Sequence, residues 1–177
     1  MTRWTKSILM SAAMALAVSP MLLSGTTGDH AQAVEQVRKR IVKAPFYSIF
    51  DNVEFTLTDG ELILTGEVSR PSVKRTIEKS VARVVGVHKV VNNIEVLPVS
   101  FYDNRIRRAL VHQIYGSQMF ARLAIQANPP IHLIVKNGHV TLEGVVLNDG
   151  QKNFAGITAH TINGVFSVTN NLRTDRS

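Results

Sequence analysis

VEFTLTDGELILTGEV, residues 53–68, alternates apolar and polar positions on both sides of Asp59-Gly60. That pair favours a two-residue hairpin turn with positive φ. Pairing across the turn puts Val53, Phe55, Leu57, Leu62 and Leu64 on one face. Glu54, Thr56, Thr58, Glu61 and Thr65 take the other, as a half-buried sheet requires. The same grammar returns 78 positions later around Asn137-Gly138. There Ile131, Leu133, Val135, Val140 and Leu142 point inward, and His132, Lys136, His139, Thr141 and Glu143 outward.

The offset extends well beyond the hairpins. GVHKVVNNIEV (86–96) meets GVFSVTNNLRT (164–174), and no gap is needed between about 53 and 96. Register kept over so many turn and core positions is the mark of an internal duplication. After each hairpin the period changes to helical. Pro71 suits a first turn, with Val73, Ile77, Val81 and Val84 inward; Asn148 or Asp149 caps the second such helix, with Ala155, Ala159 and Ile162 inward. Gly86 and Gly164 fall where these helices stop and the chain reverses, as Gly60 and Gly138 fall at the hairpin turns. Opening helices are predicted at about 30–43 and 103–115, the latter lined by Ile106, Leu110 and Ile114. The spacing thus predicts an α+β fold of two αββαβ units, each a small mixed sheet packed against helices. They occupy 29–97 and 103–174, with a junction at 98–102 and a tail at 175–177. About nine extra residues are expected in the second unit, within IYGSQMFARLAIQANPP (114–130).

A hydrophobic content of 45% is enough for packed cores in 177 residues, although units of about 70 residues have a narrow stability margin alone. There is no cysteine, which excludes disulfides, thiol nucleophiles, thiolate metal sites and a lipid attached through sulfur. Residues 1–28 read as an export signal and short leader. Arg3 and Lys6 precede a mostly apolar run from Ile8 to Leu23, shorter than the about 20 residues of a spanning helix. A retained anchor is the alternative. The formal charge is +7, or about +5 once Arg3 and Lys6 are discounted. That balance suits an anionic partner, and export argues against nucleic acid.

Catalytic signals are weak. His132 and Glu143 should stand opposite each other on an outward sheet face, with His139 nearer the turn, and the bland reading is an exposed polar strand pair. No metal-binding, nucleophile-elbow or phosphate-loop motif is present, so no cofactor is expected. The Asn92-Asn93 and Asn170-Asn171 pairs read as structural amides rather than ligand-binding ones. Charge is the better lead. Arg70, Lys74, Arg75, Lys79 and Arg83 gather on the first unit's later helix, facing an anionic surface or only solvent. Arg105 and Arg108 share a side of the second opening helix. Tyr115, Met119 and Phe120 follow as interfacial contacts or as packing for the extra loop. Phe154 and Ile157 widen the apolar arc of the last helix.

The duplicated phrases DGELILTGEV with GVHKVVNNIEV, and NGHVTLEGVV with GVFSVTNNLRT, resemble the BON domain family of bacterial envelope proteins. The turn glycine, the apolar-x-apolar-x-Gly-x-Val strand and the helix-ending Gly-Val stand at family-like spacing. That resemblance implies the αββαβ fold and a non-enzymatic envelope role in phospholipid binding, envelope integrity and osmotic-stress tolerance. It also implies that the second domain's opening helix is a lipid-facing element, here roughly 103–120. The expected protein is periplasmic, soluble or peripherally attached, with an anionic phospholipid surface or an envelope protein as partner. An interaction adaptor or chaperone-like role is the alternative, and an enzyme using a His-containing site is a third.

Overall fold

A computed structural model of the protein describes residues 26–126 and 129–174, so the apolar part of the expected export signal lies outside the described residues. The described chain forms two copies of one arrangement. Helix α1 (Thr26–Val42) precedes the hairpin β1 (Asn52–Thr58) and β2 (Glu61–Val68), then α2 (Pro71–Val81) and the strands β3 (Lys89–Asn92) and β4 (Glu95–Val96). The second copy runs α3 (Phe101–Leu110), a π-helical turn (Val111–Tyr115), a short α4 (Ala121–Ala124), β5 (Ile131–Lys136), β6 (His139–Val146), α5 (Asp149–His160), β7 (Ser167–Asn170) and β8 (Arg173–Thr174). In each four-stranded sheet the second hairpin strand lies at the centre. It pairs antiparallel with its hairpin partner, Leu57 opposite Leu62 and Val135 opposite Val140. It pairs parallel with the returning segment, Leu62 opposite Val90 and Val140 opposite Val168. The sheets are therefore mixed, and the fold is α+β.

The return strand is interrupted in both copies rather than continuous. Asn92 Oδ1 accepts from the Ile94 amide and Asn170 Oδ1 from the Leu172 amide, local bonds that compete with the sheet ladder. The same side chains tie the strand to the helix above it. Asn92 Nδ2 donates to Glu78 on α2, whereas Asn170 Nδ2 donates to the Lys152 carbonyl on α5. At the offset of 78, Glu78 corresponds to Gly156. A Cβ at Gly156 would come within 2.7 Å of Asn170 Nδ2, so the helix-weakening glycine makes room for the strand's amide.

Leu62, Leu64 and Val68 pack beneath Val73, Ile77 and Val81 of α2 and Val37 and Ile41 of α1, all essentially inaccessible to water. The second core assembles Leu133, Val140 and Leu142 with Ile106, Leu110 and Ile114, and with Ala155 and Ala159. Each fully buried Leu or Ile contributes about 1.5–3 kcal/mol. A Cβ on Gly86 would meet Ala33 at 3.7 Å, and one on Gly164 would meet Ile106 at 3.7 Å. The opening helices therefore superpose at an offset of 73, and the insertion is five residues, not about nine. It is absorbed by the π-helical turn and α4. The wide turn brings consecutive residues, Ile114 and Tyr115, onto the buried side.

Two glycine turns meet at one end of each sheet. Asp59 and Gly60 have φ of 48° and 80°, Asn137 and Gly138 of 52° and 78°, conformations that Asn, Asp and Gly enter most easily. A Cβ on Gly60 would lie 3.1 Å from the Gly86 carbonyl oxygen, and one on Gly138 would lie 3.1 Å from that of Gly164. His88 N donates to Gly60 O at 2.8 Å, and Phe166 N to Gly138 O at 2.9 Å. The third strand thus starts beside the central one. In the second copy a buried carboxylate reinforces this end: Asp103 accepts from Asn137 N at 2.9 Å and Gly138 N at 2.8 Å. At the corresponding place in the first copy, among the described residues, His30 Nε2 lies 3.2 Å from Leu57 O.

The copies are joined by the loop after α1. Ile49 and Phe50 pack against the second core, and Ile49 O accepts from Leu133 N at 2.6 Å, occupying part of the free edge of β5. Lys136 Nζ reaches Glu95 at 2.7 Å. Asp51, fully buried, accepts from the amides and hydroxyls of Ser48 and Ser69. The Tyr47 ring lies 5.9 Å from that of His132. His132 is therefore not on an exposed strand face. It lines a cleft of about 720 Å³ between the copies, and its Nδ1 is buried without a hydrogen-bond partner. Desolvation pushes its pKa below the ordinary value, against the pull of Asp51.

Two measurements check these contacts. Asp103→Ala should lower stability in urea denaturation by roughly 2–4 kcal/mol, because charge-assisted bonds to two turn amides, a buried one at Gly138 and a part-buried one at Asn137, are lost. His30→Ala should leave the midpoint nearly where it was, and equal losses would contradict the asymmetry. The second concerns pH. Folded His132 resists protonation, while the unfolded residue takes a proton near pH 6.5, so its contribution falls as pH drops below about 6.5. Burial, followed by the neighbouring Glu95 and Glu143, raises the Glu67 pKa, which acts in the opposite sense: stability is lost as pH rises from about 4.5 through the raised value. His132→Gln should therefore lose less stability than the parent between pH 7.5 and 5.5, and parallel losses would refute the imidazole's role.

Candidate functional site

The basic residues of α2 divide into two groups. Arg75, Lys79 and Arg83 are exposed, and among the described residues none of them forms an ion pair. Lys74 is half-buried, and its Nζ donates to Ile94 O at 2.6 Å, which ties the helix to the return strand. Arg70 precedes the helix with its guanidinium carbon 5.6 Å from the centre of the Phe46 ring. On α3, Arg105 and Arg108 are exposed.

Of the three suggested interfacial residues, only Met119 is at the surface. Tyr115 is 7% exposed; its hydroxyl donates to Ile131 O and accepts from Ile131 N, holding the start of β5. Burial, only partly opposed by the bond to Ile131, pushes its pKa far up. Phe120 is wholly buried, with its ring 5.9 Å from that of Phe154. These two aromatics are core residues, because the π-helical turn rotates Tyr115 inward and the five-residue insertion folds Phe120 beneath α5. Gln151 Nε2 closes the insertion by donating to Met119 O.

Other aromatics are exposed: Phe46, beside Arg70 in the first domain, and three residues of the second. Phe101, Tyr102 and Phe166 are 73%, 70% and 78% exposed. Tyr102 and Phe166 stand at the glycine-turn end of the second copy, on a cleft of about 420 Å³ that also includes Arg105, Asp103 and Ile106. The Arg105 guanidinium carbon is 6.0 Å from the centre of the Tyr102 ring, within reach of a cation–π contact. The ring of Phe101 meets that of Tyr102 edge-on at 6.2 Å. The first copy has the equivalent cleft, about 340 Å³, beside Asp29, His30 and Gln32. At the helix offset of 73, Asp29 corresponds to Tyr102 and Gln32 to Arg105; at the sheet offset of 78, His88 corresponds to Phe166. One scaffold thus carries an aromatic, basic mouth in one copy and, in the other, a mouth with no Phe or Tyr that combines Asp29, His30 and Gln32 with the exposed Val85. The sequence spacing puts Phe101 and Tyr102 in the junction; Ser100 caps α3 by accepting from Asp103 N, so both belong to the helix. The available signal was this Ser-x-x-Asp spacing at 100–103.

His132 and Glu143 are indeed in register on β5 and β6. Glu143 Oε1 is engaged by Asn171 Nδ2 at 2.6 Å, while burial disfavours the charged imidazole. Among the described residues no group of three or more His, Cys, Asp or Glu side chains is placed to hold a metal ion. None of the described helices is long and apolar enough to cross a membrane.

The BON domain model matches residues 29–98 and again 117–176. The second match opens beyond α3, although Ile106 and Leu110 of that helix pack into the second core. Comparison with curated proteins gives no significant match. Among solved structures, the C-terminal domain of CdsD, a structural protein of the type III secretion system of Chlamydia trachomatis, is similar at 15% identity. The match covers 80% of this chain and 96% of that one, with a TM-score of 0.32. A second structure of CdsD is similar at 15% identity over 80% of this chain and 91% of that one, with a TM-score of 0.31. The two matched regions take in most of the duplicated core, and the chain belongs to the BON domain family.

Proposed function

We propose that this protein is a non-enzymatic component of the bacterial envelope that attaches peripherally to anionic phospholipid surfaces through the aromatic mouth of its second domain. Support for envelope integrity or osmotic-stress tolerance would follow from that attachment. The observation that carries this reading is the exposed set Phe101, Tyr102 and Phe166 beside Arg105, where the first domain has Asp29 and His88. The Tyr102 ring with its polar hydroxyl suits the headgroup layer, the Phe101 and Phe166 rings suit the apolar boundary beneath it, and the neighbouring guanidinium adds attraction to anionic lipid. Arg75, Lys79 and Arg83 supply a second, purely electrostatic patch. The export signal expected at residues 1–28 supports a periplasmic location under this reading. No cofactor is assigned, and neither is nucleic acid.

An envelope-protein adaptor is the second reading, favoured by Ile157, which stands 68% exposed on α5. Capture of one envelope protein in cross-linking without lipid would support it over membrane attachment.

Vesicle flotation of the full chain tests the leading reading. Binding should require phosphatidylglycerol in a phosphatidylcholine vesicle and weaken as salt rises. Replacing Phe101, Tyr102 and Phe166 together by serine should reduce binding at least roughly fivefold with folding retained. His88→Ser in the first domain should leave it unchanged. A folded triple variant that floats like the parent would overturn the assignment.

A further inference from the structure

A separate pocket lies on the seam between the domains. Its volume is about 330 Å³, and its walls include Phe50, Ser69 and Arg70 from the first domain and Asn104, Arg107 and Arg108 from the second. No carboxylate lines it, and among the described residues none of the three arginines forms an ion pair.

Arg107 is the unusual member. Only 6% of the residue is exposed, yet its guanidinium donates to neutral acceptors, from Nη1 to Asn104 Oδ1 at 2.7 Å and from Nη2 to Val135 O at 2.6 Å. Its Nε is buried without a partner. A buried charge held only by neutral groups is costly and favours a counter-ion. The carboxylates that act on it from further away are engaged elsewhere, Asp103 by Asn137 and Gly138, Asp51 by Ser48 and Ser69. A second feature adds positive potential. Ser69 and Arg70 immediately precede α2, an 11-residue helix with no side-chain cap and no acidic residue in its first turn; Asp51 occupies the Ser69 amide and hydroxyl, and the helix start otherwise adds to the positive potential of the arginines.

We infer that this seam pocket is a binding site for a phosphate-type oxyanion, clasped by Arg70 from one domain and by Arg107 and Arg108 from the other. Guanidinium groups suit such a ligand because their paired N–H groups match two of its oxygens. The ligand is a phosphate group, either free in solution or carried on a lipid headgroup. Because its partners come from both sides of the Pro98-Val99 junction, bound anion fastens the two domains together. This site does not depend on the aromatic mouth of the second domain.

The full chain, titrated with inorganic phosphate and separately with glycerol-1-phosphate at constant ionic strength, provides the test by amide NMR. Saturable shifts are expected at Ser69, Arg70, Asn104, Arg107 and Arg108. Arg107 is built into the core, so the exposed pair carries the mutational arm. Arg70→Gln and Arg108→Gln should each weaken binding at least about tenfold, whereas Arg75→Gln should not. Tighter binding of glycerol-1-phosphate, with competition from phosphatidylglycerol vesicles, identifies the headgroup as the source. Binding of inorganic phosphate without vesicle competition identifies a soluble phosphate. Absence of saturation with either probe, or affinity unchanged in both variants, overturns the site. Phosphate binding that persists in a protein unable to float with vesicles would remove the membrane reading and leave this site standing.

Discussion

Each domain rests on the contact between two glycine turns. The hairpin turn at Gly60 and the helix-ending turn at Gly86 approach so closely that a methyl group on the first would press on the carbonyl of the second. Gly138 and Gly164 repeat the contact. The amide two residues after the helix-ending glycine donates to the hairpin glycine's carbonyl, and the returning strand is thereby laid parallel to the central strand. Parallel pairing needs a long crossover, and here α2 and α5 supply it while covering the sheet. The two left-handed turns, the buried crossover helix and the mixed sheet are consequences of one steric arrangement.

Duplicating that arrangement separates scaffold from function. The positions that build the glycine end are nearly the same in both copies, whereas the residues around its mouth have diverged. In the second domain Asp103 fastens the opening helix to the hairpin turn and the mouth becomes aromatic and basic. The first domain leaves its mouth without Phe or Tyr and instead contributes the loop that carries Ile49 and Phe50 into the second core. One copy therefore buttresses while the other presents. Two of the three charged side chains buried among the described residues, Asp51 and Arg107, lie on the two sides of the seam between the copies.

The legible part of the sequence was the part governed by local periodicity. Alternation around Asp59-Gly60 and Asn137-Gly138, the helical stripes through Ile77 and Ala155, and the helix-ending glycines follow from backbone rules that act within a few residues. What could not be read depended on tertiary context. Tyr115 lies off the Ile106, Leu110, Ile114 stripe of a regular α-helix, and only the π-helical turn carries it inward. Phe120 looked free because nothing nearby in sequence covers it; Phe154, 34 positions on, does so. Arg107 carries a charge that ordinarily marks a solvated face, yet the carbonyl of Val135 and the side chain of Asn104 hold it inside. Phe101 and Tyr102 were hidden by a boundary drawn two residues late, and Tyr47, Ile49 and Phe50 by lying in a segment with no periodicity.

The central claim is that membrane contact belongs to the diverged mouth of the second domain and not to the scaffold shared by both. Hydrogen exchange of the full chain, with and without phosphatidylglycerol vesicles, tests it most directly, because the equivalent mouths serve as each other's control. Slowed exchange is expected at 101–108 and 164–168, with little change at 29–36 and 86–90. Equal protection of both mouths, or protection confined to the basic face of α2, would contradict the account.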